Sequence, residues 1–396
     1  MVGIATLATF VVAGLASLFM AWAIGAGSSG STPFAPAVGA NAISVMRAGF
    51  LVGILGFSGA ILQGANVTEA VGTSLIDGVA LTATAATVGL LVAAALVALG
   101  VFAGYPIATA FTVTGAVVGV GLALGGDPAW AKYREIVTLW VATPFVGGGI
   151  AYATARTLRD ERVPETTAVP VLAGLVGALI ANIEFAVLGG GGEPGSIAGS
   201  LGGSIPGSVG EMPVGALAAT VALALAVALV QYRGMVRDAA AAQRRFLLAL
   251  GGLVAFSAGG SQVGLAIGPL VPLLEEVTVP LLGLLVGGGI GLLAGSWTGA
   301  PRMIKALSQD YSALGPRRSI AAMIPSFAIA QAAVAFGIPV SFNEIIVSAI
   351  IGSGYAAGGS GVSREKMAKT VLAWIGSLAL SLLVSYGLFV AVDAVL

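Results

Sequence analysis

Two stretches of small, hydroxyl-bearing residues interrupt otherwise apolar sequence, and their residue types could hold an anion. One is Gly25-Ala26-Gly27-Ser28-Ser29-Gly30-Ser31-Thr32-Pro33; the other runs from Ala258 to Ile267 and carries Gly260, Ser261 and Gln262. They predict helix breaks at 25–33 and 258–267. A broken helix at membrane depth exposes backbone N–H groups and the positive end of the helix dipole, and both attract negative charge. Pro33 suits the first turn of a new helix. Thr109 and Thr112 follow Pro106, and Ser341 and Asn343 follow Pro339, adding neutral donors at a second pair of places. The expected substrate-binding set is therefore Gly27, Ser28, Ser29, Ser31, Thr109, Thr112, Gly260, Ser261, Gln262, Ser341 and Asn343. Ionisable residues inside apolar stretches are functional candidates by default. Of Glu69, Glu184 and Glu344, Glu344 is the first candidate for proton coupling and Glu69 the second. A neutral, donor-rich cradle suits a fully ionised dianion such as sulfate, whereas a protonated phosphate oxygen needs an acceptor.

The chain that must position these residues has 396 of them, 58% apolar and 9% charged. Soluble domains carry about a quarter charged residues, so too little polarity is present to coat a globule. Sixty glycines allow transmembrane helices to pack closely. Zero net charge argues against nucleic acid as a partner. With no cysteine, disulfides and thiolate metal sites are excluded. With no histidine, the usual zinc ligand and the usual general base are missing too. No paired-carboxylate motif replaces them. An enzyme is not expected, and neither a metal nor a cofactor.

About 20 mostly apolar residues make one membrane span. Twelve segments qualify: 2–24, 46–63, 79–102, 107–124, 136–155, 167–188, 213–231, 246–271, 279–297, 319–337, 342–357 and 370–392. Several are short or interrupted by Gly and Pro, so some could be re-entrant. The first lacks a basic stretch before its apolar run and reads as a retained span rather than a cleaved signal. Of the 17 Lys and Arg, 16 fall between these segments and Arg47 stands at the edge of one, counted with the first connection. Fifteen lie in odd-numbered connections and only Lys132 and Arg134 in even ones. Basic loops face the cytoplasm, which puts both termini outside the plasma membrane.

The sequence also repeats itself. AWAIGAGSSG at 21–30 matches AFSAGGSQVG at 255–264, GANVTEA at 64 matches GAPRMIK at 299, and GYPIATAFTVTGAVVGVG at 104 matches GIPVSFNEIIVSAIIGSG at 337. Trp140 in REIVTLW matches Trp374 in KTVLAW, and all four offsets lie between 233 and 235. The implied organisation is an N-terminal repeat at 1–158, a two-helix insert at 159–245 and a C-terminal repeat at 246–396. An odd number of spans separates equivalent ones, so the halves are inverted, as in many secondary transporters. The expected fold is an all-α integral membrane protein of about twelve transmembrane helices, in two inverted-topology repeats with broken helices at the midplane.

The repeated segments resemble those of the inorganic phosphate transporter (PiT) family, which includes a branch of sulfate permeases. That family carries Gly-Ala-Asn-Asp-Val-Ala-Asn near the start of each half and Pro-Val-Ser-Thr-Thr-His further on. VTE at 67–69, PR at 301–302 and PVS at 339–341 are similar to it, as are the small-residue helices VVGVGLA and IIGSGYA. This chain departs at the family's Asn-Asp, where Gly27-Ser28 and Ser261-Gln262 stand, and at the later Asn, where Ser31 and Leu265 stand. The Ser-Thr-Thr-His run becomes Ala108-Thr109-Ala110-Phe111 and Ser341-Phe342-Asn343-Glu344. The resemblance implies a secondary active transporter of a tetrahedral oxyanion. The family's commonest substrate favours phosphate and the missing aspartates favour sulfate. The coupling ion expected is H+ or Na+, the missing aspartates weighing against Na+. An anion channel and a non-transporting membrane subunit are the alternatives. Partners are the oxyanion, the lipid bilayer and, as an open option, further copies of the chain in a homo-oligomer.

Two other features read more plainly. The Gly-rich run at 189–208 lacks the Lys-Ser/Thr ending of a nucleotide loop and is expected to be a flexible connection. Trp22, Trp130, Trp140, Trp297 and Trp374 lie near span ends and are expected to anchor the chain at the membrane interface.

Overall fold

In a computed structural model, residues 4–185, 188–189, 195–209, 212–275, 279–359 and 362–395 are described. Within the Gly-rich run only residues 190–194 lie outside the described residues; the expected flexible connection is corrected in part, since Ile197–Gly202 forms a short helix and Gly195–Ser196 a ribbon strand. The chain is helical almost throughout, with three antiparallel ribbons of two residues per strand as the exception. The first half contributes α1 (Ile4–Gly27), α2 (Ala35–Gly39), α3 (Val45–Gln63), α4 (Ala65–Thr73), α5 (Ala83–Ala103), α6 (Thr109–Ala123) and α7 (Trp130–Thr157). Helices α8 (Glu165–Ala181), α9 (Ile197–Gly202) and α10 (Val214–Arg237) follow. The rest is α11 (Ala239–Ile267), α12 (Leu281–Thr298), α13 (Ala300–Gln309), α14 (Pro316–Ala335), α15 (Phe342–Tyr355) and α16 (Arg364–Asp393), with a 3-10 turn at Gly268–Glu275 after α11.

Each of the twelve expected spans falls on one of these helices, but not all are long enough to cross. Among the described residues nine are, namely α1, α3, α5, α7, α10, α11, α12, α14 and α16. Helix α8 has 17 residues, α6 has 15 and α15 has 14. At 1.5 Å per residue, α6 and α15 rise only about 22 Å, short of a roughly 30 Å hydrocarbon core. Proline sets where these two begin. Pro106 and Pro339 offer no N–H and disfavour helix at the residue before them, so extended chain precedes each N-terminus. Upstream, Gly104 (φ 72°) ends α5 and Gly337 (φ 59°) ends α14, both in the left-handed region that glycine enters without penalty.

Packing runs in matched pairs at the offset of about 234 residues. Helix α1 packs on α5 and α12, while α11 packs on α14 and α3. Helix α6 lies on α16, and α15 lies on α7. The crossings are close because glycine makes them so. A Cβ on Gly25 would sit 2.2 Å from the Leu292 carbonyl oxygen, and one on Gly259 would sit 1.8 Å from that of Gly56. In contrast α10 packs mainly on α8 and α9 and leaves most of its length exposed, with apolar side chains such as Leu225 and Val230 outward. That is the profile of a lipid-facing helix.

Two further expectations are corrected. The break at 258–267 is absent: α11 is continuous α-helix through Ala258–Ile267, and its geometry changes only at Gly268. Small residues there serve close packing against α3 instead of interrupting the helix. Trp140 and Trp374 are not interface anchors. Both are buried, and each donates its indole N–H to a proline carbonyl across the bundle, Trp140 to Pro339 O (2.9 Å) and Trp374 to Pro106 O (2.8 Å). Trp130 and Trp297 are exposed.

Candidate functional site

Four elements converge at the centre: the turn after α1, the end of α11, and the N-termini of α6 and α15. Helix α1 does stop at Gly27, as its Gly-Ser composition predicts. The chain then turns on Ser28, whose carbonyl accepts from the hydroxyls of Ser31 (3.1 Å) and Thr32 (3.0 Å). Ser28 Oγ donates to Gln262 Oε1 at 3.1 Å, joining residues 234 apart in the chain. Thr109 Oγ1, at the start of α6, donates to the same oxygen at 2.8 Å and lies 3.4 Å from Ser28 Oγ. Gln262 Nε2 donates to Val340 O at 2.6 Å, tying α11 to the extended segment before α15. Asn343, in the first turn of α15, donates through Nδ2 to Gly27 O (2.9 Å) and Ile107 O (2.7 Å). Ser341 caps α15 by accepting from the Glu344 N–H.

All these side chains are buried. Buried polar atoms nearly always find a partner, so those that do not mark a site. Among the described residues, six side-chain atoms are buried without one, and four belong to this centre or to residues beside it in sequence: Ser29 Oγ, Ser261 Oγ, Asn343 Oδ1 and Glu344 Oε2. The Asn343 amide cannot turn over, because its two N–H bonds are both engaged by carbonyls; Oδ1 is thus a fixed acceptor. Helices α6 and α15 both present positive N-terminal ends here. No Lys or Arg belongs to the cluster, and Glu344 is its one ionisable group.

Of the expected site residues, Ser28, Thr109 and Gln262 are joined by direct side-chain bonds and Asn343 is tied to them through the Gly27 carbonyl, while Ser341 only caps its own helix. Ser29, Ser261 and Glu344 adjoin them in sequence and are buried. Ser31 only braces the turn. Thr112 bonds back to Ala108 O (2.9 Å) within its own helix. Gly260 is a packing residue, since a Cβ there would lie 2.8 Å from the Gln63 Cβ. Glu69 stands apart, exposed on α4, where it lines a lateral cavity of about 520 Å³ with Gln63, Asn66, Glu184 and Gln331. Glu184 is exposed in a ribbon strand.

Sequence reasoning missed the polar chain beside that cavity. Gln331 Nε2 donates to Ser257 Oγ (2.6 Å) and to Gln63 Oε1 (3.3 Å), and Gln63 Nε2 reaches Glu184 O (3.0 Å). Glutamines inside apolar spans are as anomalous as acids, so a search for all polar residues in spans would have found them.

A bundle of membrane-length helices with two shortened helices aimed at a buried polar centre free of Lys and Arg has the form of a solute transporter. The chain belongs to the phosphate transporter family, whose sequence model matches residues 8–385. It is 25% identical over 404 residues to a candidate phosphate permease of Thermococcus kodakarensis, covering 93% of this chain and 94% of that one. It is 24% identical over 402 residues to inorganic phosphate transporter 2-1 of Arabidopsis thaliana, a chloroplastic protein, covering 91% and 68%. Among solved structures, the sodium-dependent phosphate transporter superposes with a TM-score of 0.81 at 21% identity, over 98% of this chain and 100% of that one.

Proposed function

We propose that this protein is a proton-coupled secondary transporter of inorganic phosphate, built on two inverted halves at 1–158 and 246–396 joined by the insert 159–245, in the plasma membrane with both termini outside. The observation that carries the reading is the cluster of unpartnered buried polar atoms where α6 and α15 begin. Ser28, Thr109 and Ser261 hydroxyls donate to the anion, and the Ser28–Gln262 and Thr109–Gln262 bonds are those that it replaces. Asn343 Oδ1 supplies the acceptor that a protonated phosphate oxygen needs and that sulfate has no hydrogen to meet. Glu344 is the group that can carry a proton through the cycle. The matched packing at the offset of 234 residues, and the meeting of Ser28 with Gln262, support two related halves. The names of the relatives point to phosphate as well.

Sulfate is the second reading, favoured by one observation: neither Gly27-Ser28 nor Ser261-Gln262 contains a carboxylate. Uptake of radiolabelled phosphate and sulfate into proteoliposomes, with proton and sodium gradients imposed separately, decides between them. The expected result is proton-driven phosphate uptake exceeding sulfate uptake by about 100-fold or more, since a site built to pair a substrate hydroxyl rejects analogues without one. Sulfate transport at an equal or higher rate would install the second reading. Sodium-driven uptake would remove the proton from it, and uncoupled anion currents would make the protein a channel.

A further inference from the structure

At the opposite end of α3 from the polar chain, a second cavity of about 500 Å³ opens between the starts of α3 and α11. Its lining is divided by level. Asn41, Ser44, Arg47 and Arg244 stand at one end, and Phe50, Leu51 and Leu248 stand one turn further into the two helices. Arg244 Nε donates to Ala42 O at 2.9 Å, which fixes the guanidinium plane and leaves its terminal nitrogens free. Among the described residues neither Arg47 nor Arg244 is in an ion pair. Two cations thus share one concave surface with no protein anion to satisfy them.

The depth of the cavity in the membrane is marked by Trp297. Its ring stacks on Phe50 with centroids 5.4 Å apart, its indole N–H donates to Phe50 O, and it is 44% exposed. An exposed tryptophan on an apolar helix end sits at the headgroup boundary. Phe50 therefore lies at the top of the hydrocarbon and Arg47, one turn nearer the helix start, lies among the headgroups. Below this level Leu51 and Ile54 are exposed to the acyl region. The pattern is a cationic seat continuous with an apolar wall, which matches one amphiphile.

We propose that Arg47 and Arg244 bind the headgroup phosphate of an anionic phospholipid whose acyl chains run along Phe50, Leu51 and Leu248. Basic pockets between transmembrane helices suit such headgroups, and the apolar wall gives a lipid what free phosphate cannot use. The site is separate from the transport centre, which lies at the far end of α11.

The test uses the full-length protein, purified and delipidated, with phosphatidylglycerol or phosphatidylcholine supplied in mixed micelles and retained lipid counted by native mass spectrometry. Wild type is expected to keep phosphatidylglycerol over phosphatidylcholine. The double variant Arg47→Gln with Arg244→Gln is expected to lower that retention by roughly 10- to 30-fold, two headgroup-level cations being lost. Arg47→Lys with Arg244→Lys keeps the charge and is expected to retain most of the lipid, which separates lost binding from lost folding. Arg162→Gln, away from the cavity, is expected to leave it unchanged. Equal retention by wild type and the Gln double variant would overturn the proposal. So would protection of wild type against heating by inorganic phosphate that equals that by phosphatidylglycerol and vanishes in the Gln double variant, because the seat would then serve the free anion.

Discussion

Replacing Gln262 by Glu puts a charge into the centre while keeping its shape, and the outcome can be worked from the bonds. Gln262 Oε1 accepts from Ser28 (3.1 Å) and Thr109 (2.8 Å), and a carboxylate would accept both as well. What changes is the second atom, where Nε2 donates to Val340 O at 2.6 Å. A carboxylate oxygen there faces a carbonyl oxygen with no proton between them. An anion held by Ser28 and Thr109 would lie about 4–5 Å from the new charge, and like unit charges at 4 Å with an effective dielectric of 20 repel by about 4 kcal/mol. At 1.4 kcal/mol per factor of ten, affinity for a monoanion falls by roughly 1,000-fold, and for a dianion by more. Protonation of the introduced carboxyl removes the charge and restores a donor to Val340 O. The defect is therefore expected to ease as pH falls and to deepen as it rises. Concentration-dependent phosphate uptake by Gln262→Glu proteoliposomes between pH 5 and pH 8 measures this. Wild-type affinity at pH 8 would refute the placing of the anion beside Gln262.

Three further outcomes follow from named contacts. Glu344→Gln keeps the volume and removes the proton site, so proton-driven accumulation should be lost while phosphate exchange across the membrane persists; accumulation at the wild-type level would exclude Glu344 from coupling. Gly259→Ala places a Cβ 1.8 Å from Gly56 O, at least about 1.2 Å inside the 3.0 Å limit for such contacts. Helices α3 and α11 must separate, which shifts Gln262 on α11 relative to its partners, and both thermal stability in detergent and uptake should fall together. Trp140→Phe and Trp374→Phe each orphan a buried proline carbonyl, costing about 1–3 kcal/mol, and melting points should drop by similar amounts in the two variants; an effect confined to one of them would deny that they act as equivalents.

How much of this was legible in the sequence depended on what signal each feature leaves. The positions of the long helices were readable because twenty apolar residues with charges only at their ends have few other solutions, whereas the expected twelve spans stand against nine helices of membrane length among the described residues. The ends of α5 and α14 and the starts of α6 and α15 were readable because Gly104, Pro106, Gly337 and Pro339 act locally, through backbone sterics. The second break failed for a reason just as physical. Gly259, Gly260 and Gly264 permit a bend but equally permit a close helix crossing, and only the backbones of α3 and α4 lying against them decide which. Trp140 and Trp374 misled because position near a span end does not tell whether the adjoining helix face meets lipid or another helix. The acceptor at Asn343 could not be read at all. An asparagine offers both donor and acceptor, and it becomes a one-sided acceptor only after Gly27 O and Ile107 O have taken its two hydrogens.

The Trp bonds carry one more consequence for how such a centre can open. Trp140 on α7 holds the carbonyl of Pro339, just before α15, and Trp374 on α16 holds that of Pro106, just before α6. Packing agrees with the bonds, because α15 lies on α7 and α6 lies on α16. Each short helix is thus fastened to the last helix of the other half. The N-terminal ends of α6 and α15 then cannot move with the proposed halves without breaking a buried hydrogen bond and a long helix contact. The contacts that can part at lower cost are the single hydroxyl bonds from Ser28 and Thr109 to Gln262, whose hydrogens an anion's oxygens can take, while the Asn343 amide bonds stay made and hold Oδ1 as the acceptor. On the proposed function, substrate binding and opening become one event: the ligand accepts the hydrogen bonds from Ser28 and Thr109 that Gln262 gives up.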